Sequence, residues 1–287
     1  VADAVAPSCA AQRDARVIEN VPIARDTFRL RLDDPAMACA IRPGQFLMVR
    51  PAGGTDPLLG RPFALYDVVR DASGAPVALD VVYLVIGKGT AALAARRPGD
   101  LVTVWGPLGN GFGPAPGGDV WFLAGGVGQT PFLALGRAWR TPELFGLGGT
   151  PCRSSTLFYG VRTAALLAGL DDFKAARVRV EVATDDGSAG HRGFVTDLAR
   201  RAFERGERPA LAVACGPPPM LRAAAALMAQ HDVPCLVSLE NHMACGFGVC
   251  FSCVTPIRQA DGSSDLRRVC VEGPIFDARD VVFDDAH

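Results

Sequence analysis

The sequence has no surplus of charge: 29 Lys and Arg stand against 30 Asp and Glu, a formal net charge of −1. That balance removes the electrostatic footprint of a dedicated nucleic-acid binder, which carries a basic excess to meet phosphates. There is also no unbroken apolar run that would cross a bilayer as a helix. The longest apolar stretch, 120–135, is interrupted by Gly125, Gly126, Gly128, Gln129 and Pro131 and reads as a strand and turn. The alanine-rich amino terminus lacks a basic region followed by a clean apolar stretch, so no secretory signal is expected, and the opening Val suggests a processed or trimmed start. Histidine is scarce: His191, His231, His242 and His287 are unclustered, which points to structural or surface roles rather than catalysis.

What is present is an ordinary globular mixture, 49% apolar and 21% charged, in 287 residues. That length suits two domains and a small appendage. From Arg16 to about Val104, short strands (16–21, 27–32, 45–49 and 79–85) alternate with turns at Pro43-Gly44 and Pro98-Gly99-Asp100, as in a small antiparallel barrel. A Gly/Pro-rich linker is expected at 113–118. Beyond it, strands at 120–124, 156–159, 177–183 and 210–214 alternate with helices at 131–139, 164–170, 196–205 and 218–230, with a loose insertion at 146–155. That order implies βαβ units and a parallel sheet with nucleotide-binding potential at its strand ends. After Val237 the periodicity disappears, and a segment this rich in Cys, Gly and Asp needs a metal to fold. The expected fold class is multidomain β plus α/β: an antiparallel barrel over 12–113, a parallel-sheet nucleotide-binding domain over 114–237 and a small cluster-binding domain over 238–287.

The nine cysteines divide unevenly. Cys9, Cys39, Cys152, Cys215 and Cys235 are scattered, whereas Cys245, Cys250, Cys253 and Cys270 gather near one end. A secreted disulfide scaffold would spread paired cysteines through a small domain, so this pattern suggests a reducing, cytoplasmic compartment and a thiolate-bound metal centre. The Cys-x4-Cys-x2-Cys…Cys spacing is that of plant-type [2Fe–2S] ligation. Gly246 and Gly248 let the loop curl and aim backbone N–H groups at sulfide, and Met243, Phe247, Val249 and Phe251 are expected to limit water access. A structural zinc site is the alternative, although zinc usually takes two short Cys-x2–4-Cys knuckles and only one short pair is present.

Two further sets of residues suggest nucleotide cofactors. Arg61, followed by Pro62, Phe63 and Ala64, sits where a guanidinium can reach a pyrophosphate and backbone groups can reach a flavin. Gly87-Lys88-Gly89-Thr90 precedes a helical run and offers free N–H groups to phosphate. A surface salt bridge and a plain turn are the bland readings of these two motifs. Between a strand and a helix lies Gly125-Gly126-Val127-Gly128-Gln129-Thr130, and Cys215-Gly216-Pro217 ends another strand on the same side of the sheet; two such turns outside strand carboxyl ends indicate one crevice. Cys215 is either a buried filler or part of a nicotinamide pocket. Asp185-Asp186-Gly187-Ser188 reads as a solvated turn, with contact to a ribose hydroxyl as the alternative.

Together with Gly106-Pro107-Leu108-Gly109-Asn110-Gly111-Phe112, these motifs resemble the ferredoxin–NADP reductase superfamily with a C-terminal cluster, and more closely the electron-transfer subunits of two-component dihydroorotate dehydrogenases. The likeness rests most on 239–253 (LENHMACGFGVCFSC), 184–198 (TDDGSAGHRGFVTDL) and 269–282 (VCVEGPIFDARDVV). It implies FAD contacts at Arg61, Pro62, Phe63, Ala64, Val82, Tyr83, Leu84, Gly87, Gly89 and Thr90. It also implies NAD at Gly125, Gly126, Gly128, Thr130, Cys215, Gly216 and Pro217, and a [2Fe–2S] cluster on the four clustered cysteines. An FMN-containing dehydrogenase partner, assembled with this chain as a heterotetramer, is expected to oxidise dihydroorotate in pyrimidine biosynthesis while this chain passes electrons to NAD. A reductase serving a ferredoxin, a sulfur-compound reductase or an oxygenase is the alternative. No catalytic acid, base or nucleophile is expected. NAD is preferred over NADP because no basic cluster follows the 156–159 strand, Arg162 excepted. Ala64 departs from the family, which commonly places Ser or Thr there.

Overall fold

The computed structural model describes residues 10–283, so the opening Val, Cys9 and His287 lie outside it. Six antiparallel strands close a barrel in the order β1-β2-β5-β4-β3-β6: β1 (Ala11–Ala24), β2 (Thr27–Asp33), β3 (Phe46–Pro51), β4 (Arg61–Arg70), β5 (Pro76–Leu84) and β6 (Leu101–Leu108). Period-two alternation sets the two faces: Leu30 and Leu32 of β2 are fully buried, while Arg29 and Arg31 between and beside them stay partly exposed. A helix that periodicity did not reveal, α1 (Pro35–Ala40), starts where the Asp34 carboxylate accepts the Met37 N–H at 2.9 Å and Pro35 takes the first turn. The second barrel helix, α2 (Lys88–Ala94), ends where the Asn20 amide donates to the carbonyls of Leu93 at 2.8 Å and Arg96 at 2.9 Å.

The following domain contains β7 (Ala115–Pro116), β8 (Asp119–Gly125), α3 (Phe132–Arg140), β9 (Gly149–Thr150), β10 (Ser154–Val161), α4 (Leu170–Ala175), β11 (Arg179–Thr184), β12 (His191–Arg192), α5 (Val195–Glu204), β13 (Leu211–Cys215), α6 (Pro218–Gln230) and β14 (Cys235–Ser238). Its sheet runs β12-β11-β10-β8-β13-β14 and is extended by β17 (Ile275–Asp277) of the carboxyl-terminal segment, with β8 between strands that follow it on both sides. That reversal of strand order makes the carboxyl end of β8 the place where a ligand crevice opens.

The expected helix at 164–170 is not formed. A short 3-10 turn spans Ala164–Leu166, and α4 begins only at Leu170. Gly169 separates the two: its φ of 71° lies in the left-handed region, and its Cα packs against the Tyr66 hydroxyl. The expected linker and insertion are also tied together, because β7 pairs with β9.

The carboxyl-terminal segment has more regular structure than its composition suggested. It forms a hairpin of β15 (Val254–Arg258) and β16 (Ser264–Arg268), then β17 (Ile275–Asp277), which pairs antiparallel with β14. Strands this short, with sequences such as SDLRR, leave too few positions for an apolar period to register.

Polar contacts fix the barrel against the sheet domain. The Tyr66 hydroxyl donates to Asp172 at 2.8 Å, Arg29 lies 3.8 Å from Asp172, and Arg137 lies 3.3 Å from Asp67. Burial pushes the Asp67 carboxyl up to about 6 against the opposing pull of Arg137. The carboxyl-terminal segment is held through Asn110. Its side chain donates to Glu272 O at 3.1 Å and Ile275 O at 2.9 Å and accepts the Ile275 N–H at 3.0 Å, while its own N–H reaches Gly273 O.

Two outcomes are expected. Asn110→Ala leaves Ile275 N–H and two carbonyls without their partner, so it should cost about 1–3 kcal/mol in chemical denaturation and speed amide exchange at Ile275. Gly128→Ala should cost about 3 kcal/mol or more, because its Cβ would meet rigid backbone, 2.6 Å from the Cys215 carbonyl carbon and 2.9 Å from Gly216 N. Gly126→Ala, with nothing within 4 Å but a φ of 58°, should cost only about 1 kcal/mol. Equal costs at the two glycines would contradict the close approach described here.

Candidate functional site

The glycine turn after β8 and the proline turn after β13 meet at the switch point. A Cβ on Gly125 would lie 2.7 Å from Met220 Sδ and 2.8 Å from Pro217 Cδ, and one on Gly216 would lie 3.0 Å from Gly125 Cα. Gly125, Gly126, Gly128, Cys215, Gly216 and Pro217 are thus brought together at one end of the sheet. Thr130, one turn along, is buried. Glycine is required at this contact because the two backbones leave no room for side chains. The neighbouring Gln129 amide is sealed from the crevice and has no hydrogen-bond partner among the described residues.

Cys215 is buried beside Ser238 and Glu240. Burial pushes its thiol well above the usual range, with the Glu240 charge adding to the rise. Glu240, which the sequence did not mark, follows β14 into the same region. It keeps exposed surface, yet protein surrounds it on most sides, and that burial raises its carboxyl. Asp185–Ser188 is a turn: Asp186 accepts the Ser188 N–H at 3.0 Å and its hydroxyl at 2.6 Å, and Ser188 Oγ accepts the Ala164 N–H at 2.8 Å.

On the barrel rim, the two expected flavin motifs come together. A Cβ on Gly89 would lie 3.4 Å from the Arg61 guanidinium carbon, while Arg61 Nη1 donates to Leu59 O at 3.0 Å and Gly60 O at 3.1 Å. Thr90 spends its hydroxyl locally, accepting the N–H of Ile86 at 3.0 Å and of Gly87 at 3.2 Å. Gly87 is extended at φ −173°, and Lys88 pairs with Asp56. Val82 and Tyr83 are buried, and the Tyr83 hydroxyl donates to Asn20 Oδ1 at 3.0 Å. Their side chains are therefore committed to packing, and their backbone is what they can offer a ligand. Leu84, Pro62, Phe63 and Ala64 remain partly exposed, with the Phe63 ring 5.4 Å from that of Tyr83.

The four clustered cysteines interact with one another, Cys245 acting on both Cys250 and Cys270. Cys250 interacts with Cys245, and Cys270 with Cys253. Among the described residues, no three or more His, Cys, Asp or Glu side chains gather closely enough to hold a single metal ion. The Ser252 hydroxyl, 3.2 Å from Cys250 Sγ, holds that thiol down at about 6, so its thiolate is available at neutral pH. Burial, followed by contact with Cys253, pushes Cys270 up to about 12; a metal must displace that proton to bind. Four interacting thiols, three from the 245–253 loop and Cys270 from just beyond the β15–β16 hairpin, would suit a dinuclear iron–sulfur group better than a zinc ion that needs four ligands converging on one point. On the same test the rim fits an anionic dinucleotide, with Arg61 over Gly89 supplying positive charge and a close backbone approach.

The loop leans on the barrel. The Trp105 indole N–H donates to Cys245 O at 2.8 Å, and Gly246 packs against Met48 and Leu108. Phe46, Met48, Leu108, Cys253, Val269 and Cys270 form one buried cluster, with Met243 packed against it. The expected apolar screen is only partly formed: Phe247, Val249 and Phe251 are 56%, 72% and 60% exposed, and Cys250 is exposed among them. The loop turns inward at Gly246 and Gly248, which leaves Phe247 and Val249 facing out, and the exposed run continues through Phe251. The Gly106–Phe112 stretch, noted in the sequence only as part of a resemblance, supplies Leu108 and Asn110 to this docking.

Comparisons with known proteins give the chain's relatives. The family described as the iron–sulfur cluster binding domain of dihydroorotate dehydrogenase B matches residues 240–282, and the oxidoreductase NAD-binding domain family matches residues 122–226. A dihydroorotate dehydrogenase B (NAD(+)) electron transfer subunit from Bacillus caldolyticus is 37% identical over 91% of this chain and 94% of its own. A solved structure of an NADH-dependent reduced ferredoxin–NADP oxidoreductase superposes with a TM-score of 0.78 at 28% identity, covering 94% of this chain and 90% of that one. A ferredoxin–NADP+ reductase from Neisseria gonorrhoeae shares the fold at 15% identity, with a TM-score of 0.57 over 76% of this chain and 91% of its own. The corresponding electron transfer subunit from Desulforamulus reducens is 36% identical over 94% of this chain and 98% of its own, and on that similarity the chain belongs to the dihydroorotate dehydrogenase B electron-transfer subunit family.

Proposed function

We propose that this chain is the electron-transfer half of a two-protein dehydrogenase. Cys245, Cys250, Cys253 and Cys270 hold a [2Fe–2S] cluster, the rim from Arg61 to Thr90 holds FAD, and the crevice between Gly125 and Pro217 holds NAD. Electrons enter from an FMN-containing partner that oxidises dihydroorotate to orotate, in a cytoplasmic heterotetramer, and leave on NAD+. The observation that supports this most is the gathering of four interacting thiols, three of them on a loop pinned to the barrel wall beside the Arg61 strand.

When bound, FAD exchanges both single electrons and electron pairs, which is what a one-electron cluster and a hydride-carrying nicotinamide need between them. The chain's own part is binding, orientation and shielding. Arg61 offers its guanidinium to the pyrophosphate at the start of α2, where it lies against the backbone of Gly89. Ala64 has no hydroxyl, and its backbone pairs with Phe46, so no side-chain proton donor is supplied at that point. Gly125, Gly128 and Gly216 let the two turns touch, and Gly126, with open space around it, leaves the backbone free for a second pyrophosphate. Cys215, kept as a neutral thiol by burial, presents an uncharged wall to the nicotinamide. The exposed Phe247, Val249 and Phe251 around Cys250 give the dehydrogenase an apolar surface to cover, which would complete the screening of the cluster.

A second reading, a reductase that serves a ferredoxin, draws support from the 0.78 TM-score to the NADH-dependent reduced ferredoxin–NADP oxidoreductase. One experiment separates the two. Anaerobically purified chain should carry about two irons and two sulfides with FAD. Dihydroorotate should then yield NADH only when an FMN dehydrogenase is added. An iron-loaded chain that passes no electrons from dihydroorotate, but reduces NAD+ with reduced ferredoxin, would replace the first reading with the second.

A further inference from the structure

Trp105 on β6 touches both expected cofactor sites. Its indole N–H donates to the carbonyl of Cys245, the first of the four thiol residues, at 2.8 Å. The opposite edge of its ring lies under Gly60, where a Cβ would come within 3.1 Å of Cζ2 and Cζ3. Gly60 precedes Arg61, and the Arg61 guanidinium folds back onto the carbonyls of Leu59 and Gly60. A single side chain thus spans from the turn that carries the pyrophosphate-binding arginine to the loop that carries the cluster.

A second contact runs parallel to the first. Met48 on β3 pairs with Pro62 of β4 on one side and with Trp105 of β6 on the other, so Pro62, Met48 and Trp105 form one row across three strands. Met48 is fully buried, and a Cβ on Gly246 would lie 2.6 Å from its Cγ. The row leaves the cysteine loop no space to shift relative to the Arg61 strand without moving the barrel wall itself.

We infer that Trp105 is a positioning residue that fixes the cluster loop against the flavin-binding turn and eases reduction of the cluster. This deepens the functional reading above and rests on it. A donor aimed at the Cys245 carbonyl draws negative charge from that ligand's backbone and so favours the more negative, reduced cluster. The ring, separately, supports the Gly60 turn and with it the position of Arg61. The two contributions are separable by substitution, because Phe keeps the ring and loses the N–H, whereas Ala loses both.

The test uses the full chain, purified anaerobically with its cofactors, as wild type, Trp105→Phe and Trp105→Ala. Trp105→Phe should retain iron, sulfide and FAD. In a potentiometric titration followed by electron paramagnetic resonance, its oxidised-to-reduced cluster ratio at a fixed solution potential should rise about threefold, near the low end of what one hydrogen bond is worth. Trp105→Ala should in addition release FAD about tenfold more readily on dilution, as expected for losing about 1.4 kcal/mol of packing under the turn. Gly60→Ala, which pushes on the same ring from the other side, should weaken FAD retention without removing the N–H, and it stands in for Trp105→Ala if that protein does not fold. A Trp105→Phe cluster that titrates like wild type, or unchanged FAD retention in both Trp105→Ala and Gly60→Ala, overturns the inference while leaving the functional reading in place. Wild-type chain that binds no iron overturns both.

Discussion

The structure depends on how the cysteine-bearing segment leans on the barrel. Residues 240–283 have too few apolar side chains to bury a core of their own: Cys253, Val269 and Cys270 share one small cluster with Phe46, Met48 and Leu108 of the barrel, while Ile257, Ala278 and Val281 pack into the core of the neighbouring sheet domain. Asn110 holds the backbone at 272–275, Trp105 holds the Cys245 carbonyl, and β17 extends the neighbouring sheet. A segment of this kind brings its thiols to a defined place because two other domains provide the wall. The surface it leaves outward, around Cys250, is apolar and open.

The same economy of backbone governs the crevice. Where β8 and β13 end, Gly125, Gly128 and Gly216 let two turns touch, and the barrel is fixed to this sheet by Asp172 and Arg137 reaching Tyr66 and Asp67. Tight glycine contacts and buried polar contacts both tolerate little displacement. The rim at Arg61, the crevice at Gly125 and the cysteine loop therefore keep fixed relative positions. That is what electron transfer between bound groups requires.

Much of this was legible in the residues. Strand alternation in the barrel, the order of strands and helices after residue 119, and the cysteine spacing all carry local periods or counts that survive without tertiary context. The misses share a different cause. The expected helix at 164–170 failed because Gly169 packs against Tyr66, a residue about a hundred positions away. The strands after Val237 are too short for any period, and β17 is a strand because β14 offers it an edge. Trp105 went unmarked, and Asn110 and Glu240 entered only as members of longer stretches with no role assigned, for the same reason: each matters through a partner remote in sequence. The exposure of Phe247, Val249 and Phe251 is a further lesson. An apolar loop beside a cysteine cluster is not thereby folded over it.

The central claim is that flavin and cluster exchange electrons within this one chain. The most direct measurement is an anaerobic spectral titration of the purified, cofactor-loaded chain with NADH, with no partner protein present. The account predicts that the flavin absorbance and the cluster absorbance both bleach, in proportions that follow their potentials. Flavin that bleaches fully beside a chemically reducible cluster that stays oxidised would contradict it.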